Sequence, residues 1–123
     1  MQDIEIINTD LRIYQGANFF QDFTAKIPVS GLPFDLTNYV AFAQVRKTIT
    51  STSSVAFDVE ITDAINGKVR ILLKSTDTSQ LNFGYYVYDV ILMNVTGQHP
   101  EEEIKVNRLA QGQVYVDPAV TRI

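Results

Sequence analysis

The sequence predicts a small all-β fold: an antiparallel sandwich of roughly seven to nine strands, in a single domain spanning residues 1–123. Three observations lead there. In Val55, Phe57, Val59 and Ile61 the apolar side chains fall on every second residue, with Ala56, Asp58, Glu60 and Thr62 between them. Successive side chains of a strand point to opposite faces, so this spacing gives a dry side and a wet side. Several such segments follow one another, broken by Gly, Pro, Asn and Asp, and no long helical pattern intervenes.

Taken in order, residues 4–9 and 11–14 read as one broken strand or two short ones. Gly16-Ala17-Asn18 is the turn that follows. Residues 19–27 are extended, with Phe19, Phe23, Ala25 and Ile27 on one face and Phe20, Asp22, Thr24 and Lys26 on the other. Pro28 ends that ladder by removing an N–H donor. A turn at Ser30-Gly31-Leu32-Pro33 leads through residues 34–37 into a strand over 39–48, which ends on a polar run at 48–54. Residues 55–62 form the clearest strand. Asn66-Gly67 closes its hairpin by supplying positive φ, and residues 68–74 return as the antiparallel partner. Residues 75–83 are short and polar, with Ser and Thr suited to capping one helical turn. Residues 85–94 are an aromatic strand, and 94–103 a loop. Residues 104–109 and 113–116 form a last strand or pair interrupted at Gly112, and Pro118 ends the pairing.

Composition bounds the function. The chain has 46% apolar residues, with 7 Phe and 6 Tyr, enough for one core at this length. Ten Lys and Arg against 14 Asp and Glu give a net charge of −4. The basic residues are scattered, so the footprint of a nucleic-acid binder is missing. Without cysteine there is no disulfide scaffold, thiolate zinc site or cysteine nucleophile. This composition fits a reducing cytosol. No apolar run reaches the roughly 18 residues of a membrane span. Asp3 and Glu5 sit where a signal peptide would carry positive charge.

Catalytic patterns are sparse. His99 is the only histidine, too few for zinc. Glu101-Glu102-Glu103 carries hard oxygen donors, but consecutive residues diverge and the run reads as solvated charge. Asp58 and Glu60 share one strand face about 7 Å apart, a spacing that glycosidases use, on what reads as a generic wet face. There is no G-x-S-x-G elbow and no glycine-rich phosphate loop. The expectation is a non-enzymatic protein without cofactor or metal.

Leu81-Asn82-Phe83-Gly84-Tyr85-Tyr86 resembles the tyrosine corner of Greek-key sandwiches, with Leu81, Gly84 and Tyr86 as its parts. It sets Tyr86, Tyr88, Val90 and Leu92 inward and Tyr85, Val87, Asp89 and Ile91 outward. The alternative is a ligand-stacking pair of Tyr85 and Tyr88. An outward face bearing Tyr85, Val87 and Ile91 is unusually apolar, and Leu72 is apolar on the outer face of its own strand. These four residues are the candidate protein contacts.

From Gly31 onward the order of motifs becomes specific. The G-x-P-x-D-L-T-x-Y run at Gly31–Tyr39 is followed by Gln44-Val45-Arg46-Lys47, then by the Asn66-Gly67-Lys68-Val69 hairpin. Leu81-x-x-Gly84-Tyr85-Tyr86-x-Tyr88-Asp89 comes next, and the order closes on Leu109-x-x-Gly112-Gln113-Val114-x-Val116-x-Pro118-x-Val120-Thr121-Arg122. This order resembles immunoglobulin-like β-sandwich domains of tailed-bacteriophage tail, baseplate and fibre-attachment proteins, including the N-terminal domain of baseplate upper proteins. The resemblance covers the chain from about Phe19. It leaves residues 1–15 as either an edge strand or a contact arm. It implies a structural component of the virion, made in the host cytoplasm and docking in many copies to other virion proteins, in the tail, baseplate or fibre-adaptor region. A capsid-decoration or neck position is the alternative. A carbohydrate- or receptor-binding module is another, with Tyr14, Tyr39 and Tyr85 able to stack on sugars.

Overall fold

A computed structural model describes residues 3–95 and 106–121. His99 and Glu101, Glu102 and Glu103 lie outside the described residues. The elements in chain order are β1 (Ile7–Asn8), β2 (Leu11–Tyr14), β3 (Phe19–Thr24), β4 (Tyr39–Arg46), β5 (Val55–Ala56), β6 (Asp58–Asp63), β7 (Lys68–Leu73), α1 (Ser75–Thr78), β8 (Gly84–Asn94) and β9 (Val106–Asp117).

They form two layers. The larger sheet runs β1-β9-β8-β4-β5, with β2 continuing along β9 beyond β1, and the smaller runs β3-β7-β6. This is the strand layout of an immunoglobulin-like sandwich. The inward-facing residues meet in one contiguous core in which Ile13, Val69, Ile71, Val90, Leu92, Leu109, Val114 and Val116 are fully buried. Each such side chain contributes about 1.5–3 kcal/mol by leaving water.

Several boundaries differ from the sequence expectation. Residues 55–62 are not one strand. Val55 and Ala56 pair with Val45 and Gln44 in the larger sheet, whereas Asp58–Asp63 pairs with β7 in the smaller. The crossing is made at Phe57, whose N–H still donates to the Ala43 carbonyl at 2.9 Å. Its ring is buried against Phe19, centroids 6.2 Å apart. The in–out alternation runs unbroken through the crossing, which is why spacing alone does not reveal it. The strand from Phe19 ends at Thr24, and Ile27, expected on the dry face, is exposed beyond the ladder.

Gly112 does not interrupt the last strand. Gly112 pairs with Tyr88 inside a continuous β9, and the irregularity falls instead between Val90 and Ile91. Nor is every pairing antiparallel, because β1 and β2 run parallel to β9. The chain starts against the smaller sheet, where the Glu5 N–H donates to the Lys26 carbonyl at 2.9 Å. It then crosses to β9, where Thr9 N–H donates to Gln111 O at 3.1 Å. A strand that arrives by crossing the sandwich needs no hairpin, so parallel pairing is open to it.

The single helical turn is capped from a distance. Asn18 Oδ1 accepts the Ser75 N–H at 2.9 Å. Buried Thr78 donates to Ala17 O at 2.8 Å and accepts from Gly16 N–H at 3.1 Å. This polar knot fastens the β7–β8 connection to the β2–β3 turn.

Candidate functional site

The tyrosine corner forms as the local sequence suggests. Tyr86 Oη donates to Asn82 O at 2.7 Å. Leu81 is buried beneath it, and the Lys47 ammonium lies 4.7 Å from the Tyr86 ring centroid. Gly84 sits at φ 130°, and a Cβ there would come within 3.1 Å of Lys47 Nζ. A glycine therefore lets the strand begin while the cation reaches the ring. This device is structural: it fixes the start of β8 and so the outward aim of Tyr85, Val87 and Ile91.

Those three side chains stand on the outer face of the larger sheet. Leu72 does not join them. It is half-buried on the outer face of the smaller sheet, paired with Phe20 and Asp58. The chain changes sheets between β7 and β8, so the four candidate contacts divide between opposite sides of the molecule. The stacking pair of Tyr85 and Tyr88 is likewise not formed: Tyr88 is buried, its hydroxyl donating to Thr9 O at 2.6 Å. Burial, and secondarily the Asp10 carboxylate, push its pKa well above the ordinary tyrosine value.

Register divides the outer face of the larger sheet into three zones. At the Asn94 end, Val40 pairs with Met93 and Met93 with Val106, while Phe42 pairs with Ile91. Phe42 and Val106 are about half exposed, at 50% and 53%. The result is an apolar row across β4, β8 and β9. The β3–β4 connection, bonded through Ala25 to Gly67 of the β6–β7 turn, exposes Leu32 and Val29 at the same end of the sandwich. Val29 holds φ 72°, a strained conformation for a β-branched residue.

The middle zone is a shallow groove of about 680 Å³. Its polar side chains bond to one another. Arg108 donates to Gln111 (2.8 Å), Gln111 to Asn8 (3.0 Å), and Arg46 to Gln44 (2.8 Å) and to Ser51 O (2.6 Å). Asp89 lies 3.8 Å from Arg108. Two carboxylates line this zone, Asp89 beside Arg108 and Asp10, whose Oδ1 accepts the Gln113 N–H at 2.9 Å. Among the described residues, no group of three or more His, Asp or Glu is placed to hold a metal ion. Asp58 and Glu60 lie on the smaller sheet, where Glu60 acts on Arg70, itself held by Asp22 at 2.7 Å.

The third zone, at the Asp117 end, is aromatic. Tyr85 pairs with Tyr115 and Tyr115 with Arg12 across β8, β9 and β2. The Tyr85 and Tyr115 rings lie 4.9 Å apart, and the Arg12 guanidinium sits 5.6 Å from Tyr115 and 5.9 Å from Tyr14. Arg12 grips Asp117 through two bonds, 2.5 and 3.1 Å. That contact holds the Asp117 carboxyl below its usual range and raises the Arg12 pKa. Tyr85 and Tyr14 are mostly exposed, at 64% and 59%. Tyr39 belongs elsewhere: it is half-buried at the opposite end, edge-on to Phe34 at 5.6 Å. Sequence reasoning missed Arg12, Tyr115 and Asp117, and missed Val40 and Phe42. The alternating pairs Arg12/Tyr14 and Tyr115/Asp117 were the available signal, but only the register between β2 and β9 joins them.

No protein-family model matches the sequence, and no curated protein is significantly similar to it. Among solved structures, an internalin-like protein of Listeria monocytogenes is similar over 90% of this chain, with 17% identity and a TM-score of 0.41. The chain spans 28% of the length of that protein.

Proposed function

We propose that this chain is a non-catalytic β-sandwich that docks to other proteins of an assembly through the apolar end of its larger sheet. The observation that carries this is the row Val40, Met93 and Val106 with Phe42 and Ile91 beside it. It places contiguous apolar surface on a sheet face whose middle is polar. A strained, fully exposed Val29 at the same end adds weight, because strain is retained where a contact needs it. On the motif order from Gly31 to Arg122, the assembly is a phage virion, with the chain in its tail, baseplate or fibre-adaptor region. Ile91 is a contact in this scheme, whereas Tyr85, Val87 and Leu72 lie outside the row.

The test is to look for the chain in purified particles made from the genome that encodes it, as wild type and as Phe42→Asp. Wild type is expected in the particle in many copies, and the variant, folded by circular dichroism, is expected to be depleted about ten-fold or more. Particles that lack the wild-type chain would overturn the virion role. Equal incorporation of Phe42→Asp would overturn the assignment of the surface.

A further inference from the structure

We propose that the tyrosine platform at the Asp117 end of the larger sheet binds neutral saccharide. This site is separate from the docking row. Tyr85 and Met93 mark the two ends of β8, eight strand positions apart, or about 27 Å at strand rise.

The surface is built rather than scattered. Tyr85, Tyr115 and Arg12 are register partners on three neighbouring strands, so they form a run about 10 Å wide at the usual strand spacing. Tyr14 stands two residues beyond Arg12 on β2, on the same face, and packs against the guanidinium. The Arg12–Asp117 pair fixes the cation between two rings, so the platform is held in place before any ligand arrives. That lowers the ordering cost of binding.

The chemistry selects the ligand class. The Tyr85 and Tyr115 rings, tilted 53° to each other, offer apolar, electron-rich faces, which suit the C–H faces of a pyranose. Around them stand three phenol hydroxyls, a guanidinium with N–H groups beyond those given to Asp117, and a carboxylate with free lone pairs. This rim mixes donors with an acceptor-only group, and sugar hydroxyls, which both give and take, satisfy both kinds. A polyproline segment presents carbonyl acceptors and almost no N–H, so it engages only the donors of this rim. Charge points the same way. Arg12 is already neutralised by Asp117, so no unpaired cation on the platform invites phosphate or sulfate.

The experiment is affinity electrophoresis of the purified chain through gels containing a soluble glucan, galactan or mannan, with dextran sulfate and poly-L-proline as controls. At least one neutral polysaccharide is expected to retard the wild type. Tyr85→Ala and Tyr14→Ala should each weaken retardation about three- to ten-fold, the share of one stacking contact. Tyr85→Phe should keep most of it, and the docking variant Phe42→Asp should behave as wild type. The proposal is overturned if none of the three neutral polymers retards the wild type, or if retardation survives in both alanine variants. Retardation by dextran sulfate alone, or binding to poly-L-proline alone, overturns it equally. None of these results bears on particle incorporation.

Discussion

The Tyr88 hydroxyl donates to the Thr9 carbonyl at 2.6 Å, and the residue paired with Tyr88 on β9 is Gly112. These facts describe one joint. The chain between β1 and β2 kinks at Thr9–Asp10 and lies over the spot where a side chain on Gly112 would stand. A Cβ there would be 2.1 Å from Thr9 O and 2.8 Å from its carbon. Asp10 completes the joint by accepting the Gln113 N–H at 2.9 Å. The glycine makes room, the tyrosine satisfies the carbonyl, and the parallel edge strand that carries Arg12 and Tyr14 is thereby fixed in register.

Gly112→Ala is therefore expected to displace β1 and β2 rather than be absorbed locally, since backbone atoms are what the methyl meets. The expected loss is about 2–3 kcal/mol, in the range of overpacked cores. Urea unfolding measures it, and hydrogen exchange should show amides of residues 7–14 losing protection ahead of β8.

Tyr88→Phe removes the bond to Thr9 and leaves a part-buried carbonyl without that donor, at a cost of about 1–2 kcal/mol near neutral pH. The pH dependence has a defined sign. The folded state raises the Tyr88 pKa above its unfolded value of 10.0. Its contribution is thus whole below pH 10 and lost as pH climbs toward the folded pKa. The wild type should lose up to about 1.4 kcal/mol per pH unit there relative to Tyr88→Phe. Urea midpoints of the two proteins, compared between pH 8 and 11, should converge.

Thr78→Val keeps the shape of a buried side chain but removes the hydroxyl that serves both Ala17 O and Gly16 N–H. Two backbone groups lose their partner, and a destabilisation of about 1–3 kcal/mol is expected. Tyr86→Phe, which gives up one part-exposed bond to Asn82 O, should cost about 1 kcal/mol or less. Thermal unfolding of both variants tests that order.

Val29→Gly separates stability from contact. The left-handed backbone at this position costs a β-branched residue about 1–2 kcal/mol, offset in part by the greater freedom of glycine when unfolded. The variant should be more stable by roughly 0.5–1 kcal/mol in urea, while incorporation into the particle falls. A loss of stability would show that Val29 is not strained.

The sheet pattern was plain in the sequence wherever chemistry is local. Val55 to Ile61 alternates as expected, and the Leu81–Tyr86 pattern points the Tyr86 hydroxyl at a nearby backbone group, which proves to be the Asn82 carbonyl. What stayed hidden depends on distant partners. The crossing at Phe57 keeps the same alternation on both sides, so periodicity passes straight through it. Arg12 and Asp117 are 105 positions apart, and only the β2–β9 register makes them neighbours. Leu72 looked like a companion of Tyr85 because both are outward and apolar. Outwardness is defined within each sheet, however, and the two residues are on different sheets.

The most direct measurement is a residue-resolution reconstruction of the assembled particle. Phe42, Val40 and Met93 are expected to be buried against a neighbouring subunit, with Tyr85 and Tyr14 still open to solvent. A particle in which this chain is absent, or is held through Leu72 and Phe20 on the smaller sheet while the Phe42 row faces water, would contradict this expectation.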